Sequence, residues 1–163
     1  MSSICALPER ADRHAEAALF RDHTQVCVRN WTNTTPTVKF PVSDRTFGEG
    51  SLPINAFACA SGYQSINPDI EGEIDLTSAR GRNYSFSGDN PTVGEPMTKI
   101  WVLDPLQVCL DVKAMKVGDQ RAWDDGQFAL VFTRLADDNY KEFTLDINES
   151  TNPTPDGSLR PCE

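Results

Sequence analysis

The sequence predicts an all-β protein: an antiparallel β-sandwich, Ig-like or jelly-roll-like, with about nine short strands and one short N-terminal helix. Three observations carry this. From Gln25 onward, apolar side chains recur at every second residue, the period of a half-buried strand. Turn residues such as Asn67-Pro68, Asp104-Pro105 and Gly118-Asp119 separate the apolar runs. No strand–helix–strand alternation occurs, which disfavours a parallel α/β sheet.

The helix comes first. Pro8 suits a first helical position, where its missing N–H has no intrahelical partner to lose. Ala11, Ala15, Ala18 and Leu19 then recur at helical spacing up to Phe20. Being short and Ala-rich, this helix must pack on the body to persist. Residues 1–24 are therefore read as a helical segment, 25–148 as the β-sandwich and 149–163, rich in Thr, Pro and Gly, as an irregular tail.

The strands follow as "QVCVRN", "TVKFPV", "AFACASGY", "DIEGEIDL", "NYSFSG", "TKIWVL", "VCLDVKAM", "QFALVFTRL" and "EFTLDI". In the first, Val26 and Val28 face one way while Cys27, Arg29 and the following Trp31 face the other. Pro41 places an edge or a bulge in the second. In "DIEGEIDL", the acids Asp69, Glu71, Glu73 and Asp75 alternate with Ile70, Gly72, Ile74 and Leu76. Carboxylates two apart on a strand stand roughly 6.5–7 Å apart, too far to share one ion closely. The acidic row is read as a solvated face that also discourages edge pairing. In "QFALVFTRL" both phases are apolar, which marks a strand covered on both faces.

Five cysteines are disulfide candidates: Cys5, Cys27, Cys59, Cys109 and Cys162. Two lie near the chain ends, where a cross-link tethers segments that otherwise fray. Cys27 and Cys109 both share the polar phase of their strands, so a bridge between them is possible if those strands are neighbours. Four Asn-x-Ser/Thr patterns, at Asn30, Asn33, Asn83 and Asn148, mark polar loops and possible glycosylation. The expected location is secreted or cell-surface, with no leader in the chain as written.

Composition narrows the partners. The formal net charge of −9 excludes a nucleic-acid binder and disfavours docking to an anionic membrane. No Gly-x-Ser-x-Gly, His-Glu-x-x-His, Cys-x-x-Cys or glycine-rich phosphate loop is present, and no cofactor or metal site is expected. The two histidines, His14 and His23, fall at the N-terminal end, away from the strand body.

Two loops are the candidate binding regions. "KVGDQRAWDDGQF" presents Arg121, Trp123, Asp124 and Asp125, a Trp among acids of the kind that suits sugar stacking or protein contact. "SFSGDNPTVGEPMTKIW" contributes Asn90 and Glu95 in a turn-rich stretch. The expected function is a non-catalytic binding module that meets a protein or glycan partner through these loops. Two alternatives are a lipid-binding, membrane-active sandwich and a carboxylate-dependent hydrolase using Glu71 and Glu73.

Overall fold

A computed structural model describes residues 23–62, 69–89, 97–103, 108–136, 140–153 and 160–161. Within them the protein is all-β. The nine expected segments all form strands: β1 (His23–Asn30), β2 (Thr37–Val42), β5 (Phe57–Gly62), β6 (Asp69–Asp75), β7 (Asn83–Asp89), β8 (Met97–Val102), β9 (Val108–Ala114), β11 (Phe128–Ala136) and β12 (Tyr140–Glu149). Four further strands went unread in the sequence: β3 (Arg45–Phe47), β4 (Gly50–Ser51), β10 (Gln120–Asp124) and β13 (Arg160–Pro161). The helix expected over Pro8 to Phe20 lies outside the described residues. The helical element within them is a single 3-10 turn, Thr77–Ala79. The tail read as irregular contributes β13, which pairs with β10.

The strands form two sheets. The seven-stranded sheet runs β13-β10-β11-β12-β1-β5-β3 and the six-stranded sheet runs β4-β2-β6-β7-β8-β9. Pairing is antiparallel with one exception: β1 and β12 are parallel, with Val26 opposite Phe143 and Val28 opposite Leu145. A purely antiparallel assembly was the expectation. Strands so far apart in the chain are not tied to each other by a hairpin, so their mutual direction is set by the fold as a whole. Pro41 sits where the β2–β6 register shifts between Lys39 and Val42, the bulge its missing donor requires.

The two sheets meet face to face around one core. Val26, Val28, Leu130, Phe132, Phe143 and Leu145 come from the larger sheet; Ile70, Ile74, Tyr84, Phe86 and Ile100 come from the smaller. Phe86 bridges them. Its ring packs edge-on against Phe40 at 5.9 Å and against Phe132, across the layer, at 6.0 Å. Gly72 makes room for that ring, since a Cβ on Gly72 would lie 2.1 Å from Phe86 Cζ. Gly72→Ala should therefore destabilise the protein by about 1–3 kcal/mol through overpacking. Urea unfolding checks this against Ser85→Ala, a half-buried position on the opposite face. Equal midpoints for the two variants would show that the ring has space to yield.

Cys27 is bonded to Cys59, its direct partner on the adjacent strand β5. This corrects the pairing with Cys109, because β9 belongs to the other sheet and never neighbours β1. Cys5, Cys162 and the side chain of Cys109 lie outside the described residues.

Candidate functional site

The candidate residues on β10 turn out to be built into the fold. Alternation along Gln120–Asp124 points Trp123 inward, where it is 4% exposed opposite Leu130. What read as a loop Trp is a strand Trp whose surface is already covered. Asp124 and Asp125 are also buried. They shape the tight turn that joins β10 to β11: Asp124 Oδ1 accepts the Gly126 N–H at 2.7 Å, and Asp125 Oδ1 accepts those of Gln127 and Phe128 at 2.7 and 2.6 Å. Asp125 Oδ2 also accepts the Tyr84 hydroxyl at 3.0 Å, tying this turn to the opposite sheet. Burial first, and then the Asp125 charge, hold the Tyr84 phenol well above its ordinary range. Arg121 is half-buried on the inward phase of β10, opposite Phe132. Asn90 and Glu95 lie outside the described residues.

The acidic row behaves as a sheet face. Ile70, Gly72 and Ile74 are buried, Glu71 is exposed, and Asp69, Glu73 and Asp75 are half-buried. Lys39 stands opposite Glu73 on β2, and Ser87 and Ser85 stand opposite Glu71 and Glu73 on β7. Asp75 Oδ1 accepts both the hydroxyl and the N–H of Thr77, which hold its carboxyl below the usual range. The 3-10 turn Thr77–Ala79 follows directly. Among the described residues no group of three His, Cys, Asp or Glu is placed to hold a metal ion.

A different surface stands out on the outer face of the seven-stranded sheet. In β1 the valines face the core, so Gln25, Cys27 and Arg29 face away from it. The Trp31 N–H continues the ladder by donating to the Ile147 carbonyl at 2.9 Å. Register then places three aromatic residues on one diagonal. Arg29 pairs with Phe57, so Trp31 lies two residues beyond it, one strand over. Phe57 is two residues from Cys59, and Cys59 pairs with Phe47 on β3. Each step of Trp31–Phe57–Phe47 crosses one strand and advances two residues in the same sense. Strand spacing of about 4.8 Å and a two-residue rise of about 6.7 Å make each backbone step roughly 8 Å. The three rings are 48%, 66% and 50% exposed, the last figure being that of Phe47.

The row is anchored at its Trp31 end. Arg29 donates through Nε and Nη2 to the two Asp146 carboxylate oxygens, at 2.5 and 2.7 Å. This paired contact holds the guanidinium more firmly protonated. Asp146 Oδ1 also accepts Trp31 Nε1–H at 2.8 Å, and the Arg29 carbon Cζ lies 5.5 Å from the Trp31 ring centre. The indole is thus pinned by a carboxylate at its edge and a cation near its face. The Cys27–Cys59 bridge joins β1 to β5, the strand that carries Phe57 and pairs with Phe47 of β3.

Sequence reasoning placed Trp31 on the outward phase of β1 but did not join it to the phenylalanines. Phe57, Cys59 and Ser61 share a phase in "AFACASGY", a signal that was there to read; Phe47 sits in a three-residue strand with no periodicity of its own. No protein-family model matches this chain, and no curated protein matches it significantly.

Proposed function

We propose that this protein is a non-catalytic β-sandwich binding module of an extracellular compartment, and that it holds a linear glycan along Trp31, Phe57 and Phe47. The supporting observation is the straight row of three half-exposed rings on a sheet face. Isolated exposed apolar side chains are ordinary on any protein surface. Val42, Ile54, Val117 and Leu135 are exposed apolar residues of that ordinary kind, outside the aromatic register. Three aromatic rings in register, one of them locked by a cation and a carboxylate, form an ordered platform.

Aromatic rings suit sugars because the C–H faces of a pyranose are apolar while its rim is polar. Burying those faces on successive rings releases water, and the fixed rings lose little entropy in doing so. Arg29 and Asp146 lie beside the row to meet hydroxyl groups. The cross-strand disulfide fits an oxidising compartment. A protein partner is the second reading, favoured by the same combination of Trp, Phe and Arg, which dominates protein hot spots.

Affinity measurements on a panel of linear polysaccharides test the proposal. Phe57→Ala and Trp31→Ala should each weaken retention on the order of tenfold, the factor that 1.4 kcal/mol brings. Val42→Ala, exposed on the other sheet, should leave retention unchanged. A triple variant lacking all three rings that still binds the same polysaccharide would sink the reading. Sedimentation with vesicles of mixed neutral and anionic lipid separates the membrane-active alternative, and turnover lost in Glu71→Gln or Glu73→Gln would favour the hydrolase.

A further inference from the structure

We propose that Asn33 is the acceptor of an N-linked glycan and that Asn30, three residues earlier, is closed to it by the fold. This rests on the extracellular compartment named in the proposed function, and is independent of what the aromatic row binds. The stretch "NWTNTT" holds two adjacent Asn-x-Thr patterns. The chain leaves β1 here and crosses toward β2, and side chains alternate in exposure along the crossing. Thr32 is buried, Asn33 exposed, Thr34 half-buried and Thr35 exposed. The two patterns therefore point in opposite directions: Asn30 with Thr32 inward, Asn33 with Thr35 outward.

The inward pattern is sealed by its own hydrogen bonds. Asn30 is 0% exposed, and so is Thr32. Asn30 Nδ2 donates to the carbonyls of Thr34 and Leu52, at 2.7 and 2.8 Å. Asn30 Oδ1 accepts from the Thr32 N–H at 2.9 Å and the Thr32 hydroxyl at 2.7 Å. Both amide hydrogens are thus committed inside the protein, and a folded chain cannot carry a sugar on that nitrogen. The other two patterns are hampered differently. Asn83 has its Oδ1 buried on β7 without a hydrogen-bond partner. Asn148 is half-buried on β12, and its hydroxyl partner Ser150 already donates to Asp124 Oδ2 at 2.8 Å.

Asn33 has neither obstacle. Its backbone N–H donates to Glu149 Oε1 at 3.3 Å, which steadies the bend while the side chain stands in solvent. The modification requires an oligosaccharide carried on a polyisoprenyl diphosphate. Asn33 Nδ2 forms a bond to sugar C1, the bond from C1 to the phosphate oxygen breaks, and the lipid diphosphate departs with that electron pair. One amide proton leaves Nδ2 for a base of the transferase. Glu149 lies on β12, away from β5 and β3, so the glycan would emerge at the Trp31 end of the row and leave Phe57 and Phe47 uncovered.

The test is the full chain, behind an added leader, secreted from a eukaryotic host. Intact mass before and after glycan removal by a peptide N-glycosidase, with peptide mapping, reads occupancy. One glycan is expected on Asn33, lost in Asn33→Gln and in Thr35→Ala and kept in Asn83→Gln and Asn148→Gln. A secreted, disulfide-bonded chain that is bare at Asn33, or glycosylated at Asn30 instead, overturns the site and leaves the aromatic row untouched. A chain that is retained with free thiols overturns the compartment and the site together. Loss of polysaccharide binding in the ring variants has no bearing on Asn33, so the two proposals fail separately.

Discussion

Replacing both bridged cysteines, Cys27→Ala with Cys59→Ala, is expected to lower stability by about 3–4 kcal/mol. The bond joins residues 32 apart in sequence. A loop of that length loses closure entropy in the unfolded chain worth roughly that amount. What the loop contains sharpens the expectation. Between the two cysteines the chain crosses to the smaller sheet for β2, back to the larger for β3, again to the smaller for β4, and returns to the larger in β5. The bridge therefore closes a circuit through both layers, and it clamps β5, the strand that β3 pairs with at the edge of the sheet among the described residues. For a chain of this size the loss corresponds to a fall in Tm of about 10 °C. Urea unfolding of the oxidised protein and the double variant, compared by midpoint, measures it. A stability loss below about 0.5 kcal/mol would mean that the cross-link restrains nothing in the unfolded ensemble. Binding is expected to weaken as well, because Phe47 reaches the row only through β5.

The sequence is most legible where side-chain direction is a local property. In "DIEGEIDL" the side-chain directions could be read because strand geometry alone sends Ile70 and Ile74 one way and Glu71 the other, whereas the place of β6 between β2 and β7, away from an edge, could not. Pro41 was legible for the same reason: a missing donor has one consequence in a ladder. Trp123 was not. Its strand is short, its phase partner is Arg121, and acids follow it, so the stretch carries the composition of a loop. Asp124 and Asp125 look solvated on paper, yet they are buried because the turn they belong to offers several backbone N–H groups to receive them. The aromatic row was the least legible of all. Trp31, Phe57 and Phe47 come from β1, β5 and β3, and only the pairing register brings them into line. Register between distant strands is tertiary information that no single window holds. The same holds for the parallel contact of β1 with β12.

Asn30→Ala carries the other large expected effect, a loss of about 3–5 kcal/mol. Truncation takes the Asn30 partner from four groups: the carbonyls of Thr34 and Leu52, and the N–H and hydroxyl of Thr32, of which the hydroxyl keeps its contact with Thr34 Oγ1. A buried polar group stripped of its partner costs about 1–3 kcal/mol, and partial relaxation keeps the sum below the simple total. Asn33→Ala, in the same bend but exposed, should change stability by less than about 0.5 kcal/mol. Asn30→Asp separates the two halves of the network. It keeps the acceptor for Thr32 but loses both donors, and turns a negative charge toward two carbonyl oxygens. Such a carboxylate binds a proton more readily in the folded state than in the unfolded chain, so stability should recover as pH falls. Urea midpoints for the three variants at neutral and acidic pH decide the matter. If Asn30→Ala matched Asn33→Ala, the hydrogen bonds would be dispensable and the argument that closes Asn30 to glycosylation would lose its basis. The site also reaches the proposed binding row. Asn30 ties the bend that follows Trp31 to the segment that precedes Phe57: its backbone N–H donates to Ala56 at 3.0 Å, and its carbonyl accepts from Asn55 at 2.8 Å. Those two backbone bonds survive truncation while the side-chain bonds do not. Affinity at the row should therefore fall less steeply than stability, and the ratio of the two losses measures how much of the alignment between Trp31 and Phe57 the Asn30 side chain supplies.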